Sequence, residues 1–199
     1  MKKYTTKEYV ELALLIAVVA ILSYTPLGYI KTFGFEITTV VVPVAVGAVT
    51  LGPGAGAILG AAFGLMSLSR WMMGMSALGA ALFSINPLAT FVVCVVARTL
   101  MGWLTGILYK AFVKVKFMKK GALVAANLCA PLLNTTFFMG FMVLFFYNTD
   151  YIQNLVETMG AANPFMFVIA FVGLNGLVEA LVCFVIGSAV SKALKAALR

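Results

Sequence analysis

Apolar residues run along this chain in long blocks rather than in alternation, and the polar residues gather between the blocks. Six blocks stand out, at 9–25, 37–51, 55–69, 86–112, 120–147 and 164–190. Runs of about 20 apolar residues predict membrane-spanning helices, because in lipid a helix satisfies its backbone groups within itself. The second and third blocks are short, about 22 Å of helix each at 1.5 Å per residue. Gly52-Pro53-Gly54 joins them in a turn that no helix continues through. They predict either two short crossings or one re-entrant hairpin, and both leave the sidedness of the rest unchanged. The expected fold class is all-α and integral to the membrane. It is one domain, residues 1–199, forming a compact bundle of six transmembrane helices.

The charges between the blocks set the orientation. Lys2, Lys3 and Lys7 precede the first block, Lys110, Lys114, Lys116, Lys119 and Lys120 separate the fourth from the fifth, and Lys192, Lys195 and Arg199 follow the sixth. With six spans all eleven fall on one side, against Lys31 and Arg70 on the other. Lysine and arginine mark the cytoplasmic side, so both termini are expected in the cytoplasm of a multi-pass cell-membrane protein. The first block lacks a cleavage site and reads as a retained span.

Composition agrees. The chain has 199 residues, 63% of them hydrophobic and 10% charged, with a mean hydropathy of +1.09. Soluble domains are far less apolar. Its net charge of +8 follows membrane topology, which argues against a nucleic-acid partner. No histidine occurs, which removes His-based proton relays. No phosphate loop, HExxH or nucleophile–base pair is present, so no enzyme, cofactor or metal is expected. Cys94, Cys129 and Cys183 lie within apolar blocks without a CxxC pair and read as small hydrophobes.

The chemistry lies where the pattern is broken. Arg98 sits about 18 Å into the fourth block, counting from Asn86 at 1.5 Å per residue. Asn134 is central in the fifth, and Asn175 and Glu179 share a face of the sixth, four positions apart. Polar groups at such depth face the bundle interior, because exposure to lipid is costly. Two compatible readings stand open. Arg98 and Glu179 form an internal ion pair with the asparagines as interhelical glue, or the four groups floor a ligand cavity with Arg98 reaching a ligand carboxylate. The segments 26–36 and 70–85 are unusually apolar for loops. They are expected to close over the cavity with Tyr29 and Trp71, or else to lie at the membrane interface. Tyr29, Trp71, Asn86, Arg98, Asn134, Asn175 and Glu179 form the candidate substrate-binding set. Gly56, Gly60 and Gly64 are expected to let two helices of this chain approach closely, while Ala13 and Ala17 set a small-residue pair on one face of the first span.

Four blocks carry a resemblance: ITTVVVPVAVGAVTLGPGAGAILGAAFGLMSL, LFSINPLATFVVCVVARTLMGWLTGILYKAF, LLNTTFFMGFMVLFF and LNGLVEALVCFVIGSAVSKAL. In order, size and topology the chain resembles the substrate-binding S components of energy-coupling factor (ECF) vitamin transporters. The resemblance implies a small protein that captures a vitamin at the outer face of the membrane. It implies association with a transmembrane coupling subunit and two ATPase subunits, and toppling in the bilayer to release the cargo inside. Ala13 and Ala17 match the AxxxA motif through which that family docks its coupling subunit. The blocks look most like the group that includes pantothenate carriers, with folate, riboflavin and lipoate-like substrates also open. Two other classes compete. A stand-alone secondary transporter or channel predicts internal repeats and acids at depth, and a ligand-free assembly subunit predicts no vitamin binding.

Overall fold

A computed structural model describes residues 5–32, 35–119 and 121–198; the side chains of 30–37, 174, 175, 197 and 198 fall outside that description. The chain opens with α1 (Thr6–Tyr24), a two-stranded hairpin of β1 (Tyr29–Thr32) and β2 (Phe35–Thr38), α2 (Val41–Thr50) and α3 (Pro53–Met72). There follow α4 (Ala77–Ile85), α5 (Pro87–Phe91), α6 (Ala97–Lys114), α7 (Ala122–Phe146), α8 (Asp150–Thr158), α9 (Pro164–Val182) and α10 (Ser188–Leu198). Wide π turns at Val92–Val96 and Cys183–Gly187 join α5 to α6 and α9 to α10.

Among the described residues, three helical stretches are long and apolar enough to cross a membrane: Pro87–Lys114, Ala122–Phe146 and Gly176–Ala196. A fourth is added if α3 and α4, bent by 88° at their junction, count as one. By length and composition alone, three or four stretches meet the test where the sequence shows six apolar blocks, two of them short. α1 carries Lys7, Glu8 and Glu11 within its 19 residues, and α2 has only ten. At 1.5 Å per residue α2 covers about half of a bilayer core. Every position from Val41 to Val49 is buried, as befits a helix that is apolar on all sides. α2 is thus a central strut, packed by α1, α3, α6, α7 and α10.

Two local rules set the ends of these elements. Thr5 caps α1 in a reciprocal box, accepting from the Glu8 N–H while Glu8 Oε2 accepts the Thr5 N–H at 2.8 Å. Gly52 breaks the path between α2 and α3 at φ 105°, a conformation that side-chain-bearing residues avoid, and Pro53 opens α3 as its first residue.

The most extensive helix contact joins α3 to α6. Gly56 meets Gly102, Gly60 meets Arg98, Gly64 meets Cys94 and Val95, and Gly106 meets Pro53. A methyl group at any of these glycines would land under 3.0 Å from the opposing backbone, so the helices touch main chain to main chain. The GxxxGxxxG run therefore packs within the chain, as expected.

The intervening segments are more ordered than the sequence suggests. Tyr29–Thr32 and Phe35–Thr38 pair as antiparallel strands with Tyr29 opposite Thr38. The stretch 70–85 comprises the last turn of α3, a tight bend and α4. Gly79 of α4 leaves room for the Trp71 ring, which a side chain there would strike. At the opposite, lysine-rich end, Lys195 of α10 donates to the Tyr109 hydroxyl of α6. Asn127 of α7 donates to Ser191 at 3.3 Å.

Candidate functional site

Phe63, Ser67 and Trp71 are spaced four apart along α3, so they share one face, and all three are buried. Ser67 hydrogen-bonds the buried Tyr29 hydroxyl at 2.9 Å. Arg70 lays its guanidinium carbon 3.6 Å from the centre of the Tyr29 ring, an arrangement in which the aromatic face attracts the cation. Tyr24 at the end of α1 meets Ser69 at 2.5 Å. The hairpin is thereby fastened over the end of α3.

Further along α3, against Phe63, lies Arg98 of α6, 6% exposed. Its first partners are the carbonyls of Val93 and Cys94, to which Nη1 donates at 3.2 and 3.1 Å. Both carbonyls belong to the π turn that leads into α6, so the arginine folds back on its own helix and caps the irregularity beside it. The guanidinium also lies 4.7 Å from the Phe63 ring centre and 5.1 Å from that of Phe138. Its Nε–H is buried and has no partner. Asn134 precedes Phe138 by one turn of α7 and is 8% exposed, and its Oδ1 is likewise buried without a partner. Phe138 in turn meets Trp71 edge-to-face at 6.1 Å. The contacts Arg98–Phe138–Trp71 connect the buried cation to the end of α3, with Asn134 one turn before Phe138 on α7.

Glu179 of α9 is also buried, but it does not pair with Arg98. Its Oε1 accepts the backbone N–H of Thr38 in β2 at 2.6 Å. The expected Arg98–Glu179 ion pair is therefore corrected: the arginine takes its acceptors from the π turn, and the acid turns to the hairpin. Arg98 still lies within Coulombic reach of the carboxylate.

The structure thus gathers Tyr29, Trp71, Arg98, Asn134 and Glu179 along one buried path. Asn86 stands apart. It is exposed, and its Oδ1 accepts the Ala89 N–H at 3.1 Å, which makes it the cap of α5. The side chain of Asn175 lies outside the described residues. Phe63, Ser67, Arg70, Phe138 and Thr38 join the site without having been singled out. The four-residue spacings Phe63–Ser67–Trp71 and Asn134–Phe138 were signals available for Phe63, Ser67 and Phe138, whereas Arg70 and Thr38 had none. Among the described residues no cluster of His, Cys, Asp and Glu could hold a metal ion.

No curated protein matches this chain. Among solved structures it is similar to ThiT from Listeria monocytogenes, with a TM-score of 0.64 at 17% identity, over 94% of this chain and 93% of that one. At that identity the likeness establishes the fold. The model of the ECF transporter substrate-specific component family matches residues 7–191. The chain, buried arginine and glycine seam included, is a member of the ECF transporter substrate-specific component family.

Proposed function

We propose that this protein is the vitamin-capturing subunit of an ECF importer, taking its cargo between the hairpin lid and the Arg98 floor. The family is one of transporter components and not of enzymes. The observation that supports the reading most directly is the pair of buried, unpartnered polar atoms, Arg98 Nε near the Phe138 ring and Asn134 Oδ1 one turn before Phe138 on α7. Buried polar groups are nearly always satisfied, and orphans beneath a lid are what a bound molecule completes. Tyr29, Trp71, Phe63 and Phe138 supply the apolar walls typical of small-molecule sites. Glu179 and Asn175 are assigned to the same site, and Asn86 to capping.

In this proposal α1, α2, α3, α5–α6, α7 and α9–α10 are the six crossings. The hairpin end then faces outward, and both termini and the 110–120 lysines face the cytoplasm. Ala13 and Ala17 are exposed on α1 and form the docking face for a transmembrane coupling subunit, which carries two ATPase subunits. Pantothenate is the vitamin to which the sequence resemblance points. The test is binding of a panel of vitamins to the purified full chain in detergent, read by calorimetry and thermal shift. Saturable micromolar or tighter binding of one vitamin is expected. A folded protein that binds none of them would overturn the capture role.

A further inference from the structure

The charges around the site do not balance. Among the described residues along it, Arg98 and Arg70 are cationic and Glu179 is the one acid. Glu179 gives its Oε1 to the Thr38 N–H. Arg98 is held by two neutral carbonyls and two aromatic faces, and Arg70 by the Tyr29 face. Neither cation touches a carboxylate. A guanidinium does not shed its proton in proteins, and a buried charge lacking a counter-charge is costly. Among the described residues Arg98 therefore has no anionic group in contact, and its Nε–H is buried without an acceptor, with the guanidinium carbon 5.1 Å from the Phe138 ring centre. Asn134 Oδ1, one turn before Phe138 on α7, is likewise buried without a donor.

We infer that the cargo is a monoanion, a carboxylic acid with a hydrogen-bond donor close to its acid group. The carboxylate takes the Nε–H of Arg98, the donor (a hydroxyl or amide N–H) takes Asn134 Oδ1, and the aliphatic or ring body packs on the aromatic side chains around them. Charge-assisted bonds to a guanidinium are roughly twice as strong as neutral ones, so charge class is the main discriminator. Arg70 at the lid adds attraction for anions on entry. Cationic and neutral vitamins leave the Arg98 guanidinium without an anionic partner.

This inference rests on the capture reading, and paired probes separate the two. Pantothenate, biotin, lipoate and nicotinate are each measured against a neutral counterpart: panthenol, biotin amide, lipoamide and nicotinamide. Riboflavin and thiamine serve as neutral and cationic vitamins. At least one acid is expected to bind the wild-type chain about tenfold or more tightly than its neutral counterpart. Arg98→Gln is expected to bring that ratio close to one. The wild-type ratio decides the matter even if the variant does not fold. An acid and its counterpart binding within about threefold of each other, or tight binding of riboflavin or thiamine, overturns the monoanion and leaves vitamin capture standing. Binding of no vitamin at all overturns both.

Discussion

Glu179 on α9 accepts the backbone N–H of Thr38 at 2.6 Å, a bond that spans 141 positions of sequence. It fixes the β hairpin to the interior of the bundle through a buried carboxylate, on the strand opposite the one that carries Tyr29. Hydrogen bonds to a charged acceptor contribute about 1.5–3 kcal/mol. Glu179→Leu is therefore expected to raise hydrogen exchange of the amides in Phe35–Thr38 by roughly tenfold or more. Glu179→Gln, which keeps an acceptor, should change it far less. Identical exchange in wild type and both variants would show that the hairpin is held by other contacts.

The α3–α6 seam gives a stability contrast. Gly60 faces the Arg98 backbone with no room for a methyl group, whereas Gly140 in α7 has nothing within 4 Å of its would-be Cβ. Overpacking costs about 1–3 kcal/mol, while Gly→Ala at an open helical position gains up to about 1 kcal/mol. Gly60→Ala should lower the thermal midpoint in detergent and Gly140→Ala should hold or raise it. Equal effects would contradict the close approach of the two backbones.

The long elements were readable because their signal is local. The blocks 86–112 and 120–147 fall within a few residues of Pro87–Lys114 and Ala122–Phe146, since uninterrupted apolar runs with lysine flanks need no tertiary information. α3 runs past the expected limit at residue 69, and Arg70, which reads as the end of a span, lies inside the helix with its guanidinium over Tyr29. α4 was hidden by glycine and serine, and its Gly79 is required by the Trp71 ring rather than by helix propensity. The hairpin residues 29–38 gave no strand signal, and their anchor lies on α9. Arg98, Asn134 and Glu179 were legible as polar breaks in apolar runs. Their wiring was not, because the acceptors of Arg98 are carbonyls opened by a π turn in its own helix. With one deep acid in the sequence, charge counting pairs the arginine with it; backbone geometry supplied a nearer answer.

Orientation is testable by impermeant thiol labelling. Lys116 and Asn154 are both exposed and lie at opposite ends of the bundle. With the lysine cluster in the cytoplasm, Asn154→Cys should label in intact cells and Lys116→Cys only after permeabilisation. The reverse pattern would invert the protein in the membrane.

Docking through α1 predicts separable defects. Ala13 and Ala17 are exposed, while Leu12, Leu15 and Val19 on the other side of the helix are buried. Ala13→Trp and Ala17→Trp should block co-purification with the coupling subunit and vitamin uptake, because close helix approach needs small side chains. Vitamin binding by the isolated chain should be unchanged. Loss of binding together with loss of assembly would place that face inside the fold.

The separation of Arg98 from Glu179 has a thermodynamic signature. Removing one partner of a buried contact pair costs about 3–5 kcal/mol, and the double substitution recovers much of that cost. Here each group has its own partners. Arg98→Met leaves the Val93 and Cys94 carbonyls short of a donor, and Glu179→Leu leaves the Thr38 N–H short of an acceptor. Those two losses share no atom, so they should add, with only a through-space remainder between them. In a double-mutant cycle of Arg98→Met and Glu179→Leu, followed by denaturant unfolding in detergent, the coupling energy should stay below about 1 kcal/mol. A coupling of about 3 kcal/mol or more would mean that the two side chains form a direct ion pair in the membrane-embedded protein. The orphaned Arg98 Nε–H would then belong to the fold and not to a ligand.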